Sequence, residues 1–224
     1  RSKNKSIKIN NLTFINPNVN ICYVGFPTHK PVPDLNIVKK YDFVFFAKKI
    51  ASFKGVEDVI NALAIVKDNH PAVKLAIIGG CDPDYRIKLE KLIGDRNLQD
   101  NIYFLGLFSS IKEMHRNVQM ARISVLPGIT ASLNSTVREA MSLGIPPIVY
   151  RNEITDKINS SNNNLCVAQM QDVEDLSKQM ELLLDNPQIL EMYKIRGNEY
   201  VSLYFNNQKI VDSLLVNLKK IISC

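Results

Sequence analysis

Residues 122–150 read RISVLPGITASLNSTVREAMSLGIPPIVY. Ile123, Ser124, Val125 and Leu126 form a short β-favouring run. Pro127 and Gly128 end it, because neither extends a central strand. After the polar loop ITASLN, Ser135 or Thr136 is placed to cap a helix, VREAMSL supplies good helix formers, and Gly144 suits the left-handed residue just past a helix end. PPIVY is a second apolar strand whose prolines are confined to its first positions. The unit is strand, loop, helix, strand. Such a unit aims the free amides of its helix N-terminus at the carboxyl edge of a parallel sheet, where phosphates bind. Glu139 lies one turn into that helix, within reach of neutral hydroxyls beside the anion.

On either side of this unit, apolar strands alternate with amphipathic helices from residue 42 onward, which is the pattern of a doubly wound parallel sheet. DFVFFA is the first strand, and its near-continuous apolar character means burial on both faces. Val56, Val59, Ile60, Leu63 and Val66 recur at helical spacing after Gly55, giving a helix that ends near His70 and Pro71. VKLAIIG, stopped by Gly79 and Gly80, is the second strand and NIYFLG the third, each followed by a helix (DYRIKLEKLIGDRNL and SSIKEMHRNVQ). NLCVA is a short sixth strand at the edge. NSSNNNL at residues 159–165 is a polar loop expected to be mobile. The chain then turns helical in DVEDLSKQMELLLDN, PQILEMYKIRGNEYVSLYF and NQKIVDSLLVNLKKII, separated by Asn-Pro and Asn-Asn breaks. Residues 1–41 are broken by prolines 17, 27, 31 and 33 around one strand, NICYV, and suit a linker or the edge of a larger module.

With 224 residues, 46% of them hydrophobic and 22% charged, the chain suffices for one sizeable α/β domain. No apolar run approaches the ~20 residues that span a bilayer, and RSKNKSIKIN lacks the apolar core of a signal peptide. Cytoplasmic location is the expectation. The four cysteines are scattered, without a C-x-x-C pair or metal-ligand spacing, and read as reduced thiols. Of the net charge of +6, all sits in residues 1–60, with ten Lys or Arg against four Asp or Glu; the rest has eighteen of each. A basic edge suits a sugar nucleotide, an anionic membrane at the cytoplasmic face, or plain solvation. Nucleic acid fits poorly, since no helix-turn-helix, zinc-finger or RNP pattern is present.

Several positions can carry chemistry. Lys49 and Lys54 flank the turn after the first strand, with Gly55 just before the next helix, so two ammonium groups converge on one anion near a helix terminus. Gly79 and Gly80 let a ligand or a neighbouring backbone come close, although most glycines in such turns simply make the turn. They do not form a G-x-G-x-x-G fingerprint, which disfavours a dinucleotide-dependent oxidoreductase. Asn134, Ser135 and Thr136 offer backbone and side-chain donors to a phosphate. His29, His70 and His115 show no partner for acid-base work, with His115 on a surface-type helix. No Ser/His/Asp set and no metal cluster appears.

The string EAMSLGIPPIV resembles the EAMA-x-G-x-P-V-V signature in the carboxyl-terminal domain of the retaining GT-B glycosyltransferases of family 4, and order and spacing extend the resemblance from about residue 42 to the end. It implies that Glu139 holds the ribose hydroxyls of a nucleotide-sugar donor. It places Lys49 and Lys54 at the arginine and lysine of G-R-L-V-P-E-K-G, and the backbone of Leu107 and Phe108 under the base, where Phe108 is equally suited to capping the core. Where that family has an acid and a glycine-rich turn, as in E-G-F-G-L, this chain has Ala131, Ser132, Leu133, Asn134 and Ser135.

The expectation is therefore a doubly wound, Rossmann-like α/β fold of about six parallel strands, with residues 42–206 as the donor-binding domain. Residues 1–41 are a linker or remnant of a preceding domain. Residues 207–224 are a helix, with Ile210, Leu214, Leu215, Leu218 and Ile221 near one apolar stripe, that crosses to an amino-terminal acceptor-binding domain. The expected function is sugar transfer with retention from a UDP- or GDP-sugar to an acceptor, without metal or cofactor, Lys49, Lys54 and Glu139 acting electrostatically. The chain alone is expected not to be catalytically complete. The alternative is a non-catalytic nucleotide-sensing or interaction module on the same fold, motivated by Ala131.

Overall fold

The computed structural model describes residues 31–129 and 135–205, the backbone of residues 6–9 and 12–15, and residues 208, 211, 212, 215 and 216. The chain divides into two compact units, one of Arg1–Thr28 with Tyr204–Cys224 and one of His29–Leu203. In the smaller unit, β1 (Ser6–Ile9) and β2 (Leu12–Ile15) pair antiparallel, with Ser6 opposite Ile15 and Ile9 opposite Leu12. The sequence reading left this hairpin out, because two four-residue strands among polar neighbours give too short a period-2 signal. The NICYV strand lies outside the described residues. So do Ile210, Leu214, Leu218 and Ile221 of the expected stripe, while Leu215 is helical and half exposed.

The larger unit is built on six parallel strands: β3 (Tyr41–Ile50), β4 (Leu75–Cys81), β5 (Ile102–Gly106), β6 (Ala121–Val125), β7 (Pro147–Tyr150) and β8 (Cys166–Ala168). They lie in the order β5-β4-β3-β6-β7-β8, as a Rossmann-like sheet requires. The helices between them are α1 (Val56–Asn69), α2 (Pro83–Asp95), α3 (Ile111–Val118), α4 (Ser135–Ser142) and α5 (Glu153–Asn159), followed by α6 (Val173–Asp185) and α7 (Pro187–Tyr204). Phe43, Val44, Phe45 and Phe46 of β3 are all buried, so the central strand is covered on both faces. The α1 stripe Val56, Val59, Ile60, Leu63 and Val66 is buried throughout. Burying five such side chains contributes roughly 1.5–3 kcal/mol each before the entropy of ordering them is subtracted. Asp82 accepts from the Asp84 amide and Pro83 opens α2, while Asp172 accepts from Asp175 and opens α6.

The structure differs from the sequence expectation at one strand end and adds a helix. Gly79 and Gly80 do not stop β4, which continues to Cys81 because the long β3 goes on pairing with it, Lys49 opposite Gly80 and Ile50 opposite Cys81. Gly79 takes φ 143°, and a Cβ there would run into the Ala47 carbonyl oxygen. Helix α5 was not foreseen. It is short, but Asn152 and Thr155 form a reciprocal capping box that fixes its start. The polar run after it is hydrogen-bonded at its two ends, with residues 160–163 exposed between them. Asn159 Oδ1 accepts from the amides of Asn164 (3.0 Å) and Leu165 (2.9 Å), and its Nδ2 donates to Leu165 O (2.9 Å).

At the amino edge of the sheet, residues 34–40 are fastened to the loop before β6. Asp34 N donates to Gln119 Oε1 (2.6 Å), and Lys39 Nζ donates to the carbonyls of Gln119 (2.7 Å) and Ala121 (2.9 Å). Burial, with Lys194 nearby, lowers the pKa of this lysine.

Candidate functional site

The strand order reverses between β3 and β6, and open α/β sheets take ligands at the carboxyl ends of strands beside such a reversal. The loops that follow these two strands meet there. Gly55 (φ 77°) closes a single 3-10 turn, Ser52–Lys54, and packs on Pro127, while Ile129 N donates to Phe53 O at 3.2 Å. Beside this clasp lies a crevice of about 400 Å³.

Its floor is the strand ends, with Phe46, Ala47 and Lys48 from β3 and Ile78 and Gly79 from β4. One wall is the 107–110 loop with Ile111 and Met114 of α3; the other is Ser135, Thr136 and Glu139 of α4. The first wall is held by Ser110, which accepts from Glu113 N (3.2 Å), and by Ser109, whose hydroxyl donates to Glu113 Oε2 (3.3 Å). In the second wall the first turn of α4 carries no acidic residue. The first turn of α1 is different. It carries Glu57 and Asp58, engaged by Lys88 Nζ and by the Tyr150 hydroxyl, each at 2.8 Å. Of the two helix starts, the α4 one carries no acidic side chain in its first turn, the arrangement that suits an anion.

Gly79, Leu107, Phe108, Ser135, Thr136 and Glu139 thus come together in one crevice. Gly80 is in β4 but outside the lining, and Asn134 lies outside the described residues. Lys49 and Lys54 are not among the lining residues. Lys49, like Lys48, is an exposed residue of β3, and Lys54 Nζ sits 5.2 Å from the Phe53 ring centroid. Lys48, which was not singled out from sequence, lines the crevice instead. The pairing between β3 and β4 is irregular between Phe46 and Lys49. Alternation along the strand therefore does not tell which of two adjacent exposed lysines borders the crevice.

His115 was expected on an open helix surface without a partner, and the structure corrects this. Its side chain is 14% exposed, as is that of Glu139, and His115 Nε2 lies 3.4 Å from Glu139 Oε2. Sequence gave no signal for this pair, since the two residues are in different helices. Arg138 adds to the electrostatics of the wall: burial lowers its pKa and Glu139 raises it in turn. His70 also has a partner, Asp185 Oδ1 at 3.3 Å. Among the described residues no cluster of three or more His, Cys, Asp or Glu is placed to hold a metal ion. No described helix is long and apolar enough to cross a membrane.

The family described as Glycosyl transferases group 1 matches residues 30–200. The uncharacterized glycosyltransferase MJ1059 of Methanocaldococcus jannaschii is 33% identical over 110 residues, 49% of this chain and 26% of that protein. Alpha-D-kanosaminyltransferase of Streptomyces kanamyceticus is 29% identical over 149 residues, 66% of this chain and 38% of that protein. Sucrose-phosphate synthase from Thermosynechococcus elongatus superposes with TM-score 0.75 at 21% identity, covering 89% of this chain and 52% of that one. Anabaena Alr3699/HepE, crystallised with UDP-glucose, superposes with TM-score 0.66 at 18% identity, covering 79% and 49%. The chain spans between a quarter and two-fifths of the length of these two curated relatives. The chain belongs to the glycosyl transferases group 1 family.

Proposed function

We propose that this member of the glycosyl transferases group 1 binds the nucleoside diphosphate of a sugar donor in the crevice and supplies the donor side of a retaining transfer. One observation carries the reading. A single cavity brings together an apolar wall, a carboxylate and an acid-free helix N-terminus, which are the complements of a base, a ribose and a diphosphate. Leu107 and Phe108, with Ile111 and Met114, take the base. Glu139 accepts from the ribose hydroxyls. Ser135 and Thr136, with Asn134, hold the diphosphate at the start of α4. Lys48 meets the anion from the floor, and Lys49 and Lys54 add positive potential beside it.

Bond cleavage at the sugar's anomeric carbon leaves negative charge on the diphosphate. Donors fixed in place before that charge develops stabilise it at little reorganisation cost. This electrostatic role needs no proton to be moved by a side chain of the chain. UDP-glucose bound to the Anabaena protein of the same fold supports a uridine donor, and a GDP-sugar uses the same chemistry. The alternative of a nucleotide-sensing module has no observation in its favour beyond the residue at 131.

Calorimetric titration of the chain with UDP and with GDP tests the proposal. Binding of at least one at sub-millimolar concentration is expected. If neither nucleotide binds the folded chain at millimolar concentration, the proposal is rejected.

A further inference from the structure

We infer that His115 is a positioning residue: it fixes the Glu139 carboxylate so that the crevice prefers a ribose to a deoxyribose. The inference rests on the proposed donor site and goes beyond it, because nothing in that reading requires a residue behind Glu139.

The geometry is the starting point. Glu139 Oε2 faces His115 Nε2 at 3.4 Å, and both side chains are 14% exposed. An ionised carboxylate only accepts, so the imidazole N–H donates to it, and Oε1 is left for the crevice. A glutamate has three side-chain torsions, and an unheld one would lose that freedom when it meets a sugar. Holding it beforehand removes part of that cost.

His115 is itself fixed. It follows Met114, which lines the crevice, and its carbonyl accepts from Gln119 N (3.0 Å) and Gln119 Nε2 (3.3 Å). Gln119 Oε1 in turn accepts from Asp34 N at 2.6 Å. The main chain of His115 is therefore tied through Gln119 to residues 34–40 at the amino edge of the sheet, which sets where its ring starts from. The brace also ties the base-side wall on α3 to the ribose-side wall on α4.

The test uses the 224-residue chain and two probes, UDP and 2′-deoxy-UDP, with GDP and 2′-deoxy-GDP in parallel. Calorimetric affinities are compared for the parent, His115→Ala, His115→Gln and Glu139→Gln, with thermal unfolding of each as a folding check. The parent is expected to prefer the ribonucleotide by about tenfold, the scale of one hydrogen bond to a charged group. In His115→Ala that preference shrinks to about threefold or less, while affinity for the deoxynucleotide is retained. His115→Gln, which keeps an N–H donor near the same place, restores most of the preference. If His115→Ala does not fold, His115→Asn, too short to reach Glu139, serves in its place.

A role in packing alone would weaken both probes equally. That result, or an unchanged preference in His115→Ala, overturns the inference even when the parent binds and Glu139→Gln abolishes the preference. A parent that binds none of the four probes overturns the proposed function and the inference together.

Discussion

Gly55 leaves no room for a side chain beside Pro127. A Cβ at Gly55 would run into the Pro127 carbonyl oxygen and lie 2.9 Å from its Cγ. The contact joins the turn after β3 to the turn after β6, across the point where the strand order reverses. Gly55→Ala is expected to cost about 2–4 kcal/mol, combining a left-handed φ with overpacking. Gly106 is the control, because it also has positive φ (72°) but nothing within 4 Å of an added Cβ. Gly106→Ala should cost only about 1–2 kcal/mol. Urea unfolding of the two variants separates backbone strain from the clash, and equal costs would show that Pro127 is not the obstacle.

Tyr150 is buried and its hydroxyl donates to Asp58 Oδ2 at 2.8 Å. Tyr150→Phe should lower stability by about 1–3 kcal/mol, since it deletes a hydrogen bond to a carboxylate. Burial first, and Asp58 second, raise the pKa of this phenol. Burial raises those of Tyr85 and Tyr193 as well. A pKa raised in the folded state gives stability that is complete below the unfolded value of about 10 and is lost as pH rises past it. Chemical denaturation between pH 8 and 11 should therefore show falling stability, with a shallower slope in Tyr150→Phe.

Lys48 lines the crevice and Lys49 does not. Lys48→Ala is expected to weaken binding of UDP or GDP by about five- to twentyfold, and Lys49→Ala by about threefold or less, as contact and long-range cations differ. Raising the salt concentration should shrink the Lys49 effect more, because a charge acting at a distance is screened more than one in contact with the anion. Equal losses in the two variants, measured by calorimetry, would mean that both lysines reach the anion.

Cys166 is fully buried, and burial, with Asp175 nearby, pushes its thiol up to about 12. The thiolate is the reactive form, so this residue should resist alkylation at pH 8 until the chain unfolds. Cys81 lies partly open at the end of β4, and burial also raises its pKa, against the opposing charge of Arg86. It should label in the native state, more slowly than a free thiol. Peptide mass spectrometry after a short iodoacetamide pulse, with and without denaturant, reads the two sites separately.

The sheet was legible because buried parallel strands are written as continuous apolar runs such as DFVFFA, with each helix between them marked by spacing or a cap. Helix α5 was not, because seven residues hold too little periodicity and the Asn152 and Thr155 box carries most of the signal. Gly79 and Gly80 misled for a different reason. Whether a strand ends at a glycine depends on how far its neighbour continues, and β3 continues to Ile50. Of the residues that line the crevice, Gly79, Ser135, Thr136 and Glu139 stand out in the sequence at a strand end and a helix start, and Leu107 and Phe108 enter through the family resemblance. Lys48 and His115 were missed because each depends on a relation between elements. One is set by an irregular register, the other by the approach of α3 to α4.

The order of the strands also has a consequence for synthesis. Strand β3 pairs with β4 on one side and with β6 on the other, with Tyr41 opposite Ala121 in the second pairing. A growing chain that has released only β3 to β5 and α3 holds the floor of the crevice and one wall. The opposite wall, Ser135 to Glu139, emerges afterwards. A molecule that binds the crevice thus has nothing complete to bind until α4 has emerged, and it stabilises the assembled site by mass action. The pairing of β6 with β3 closes a loop of about seventy residues, the kind of long-range contact that slows folding.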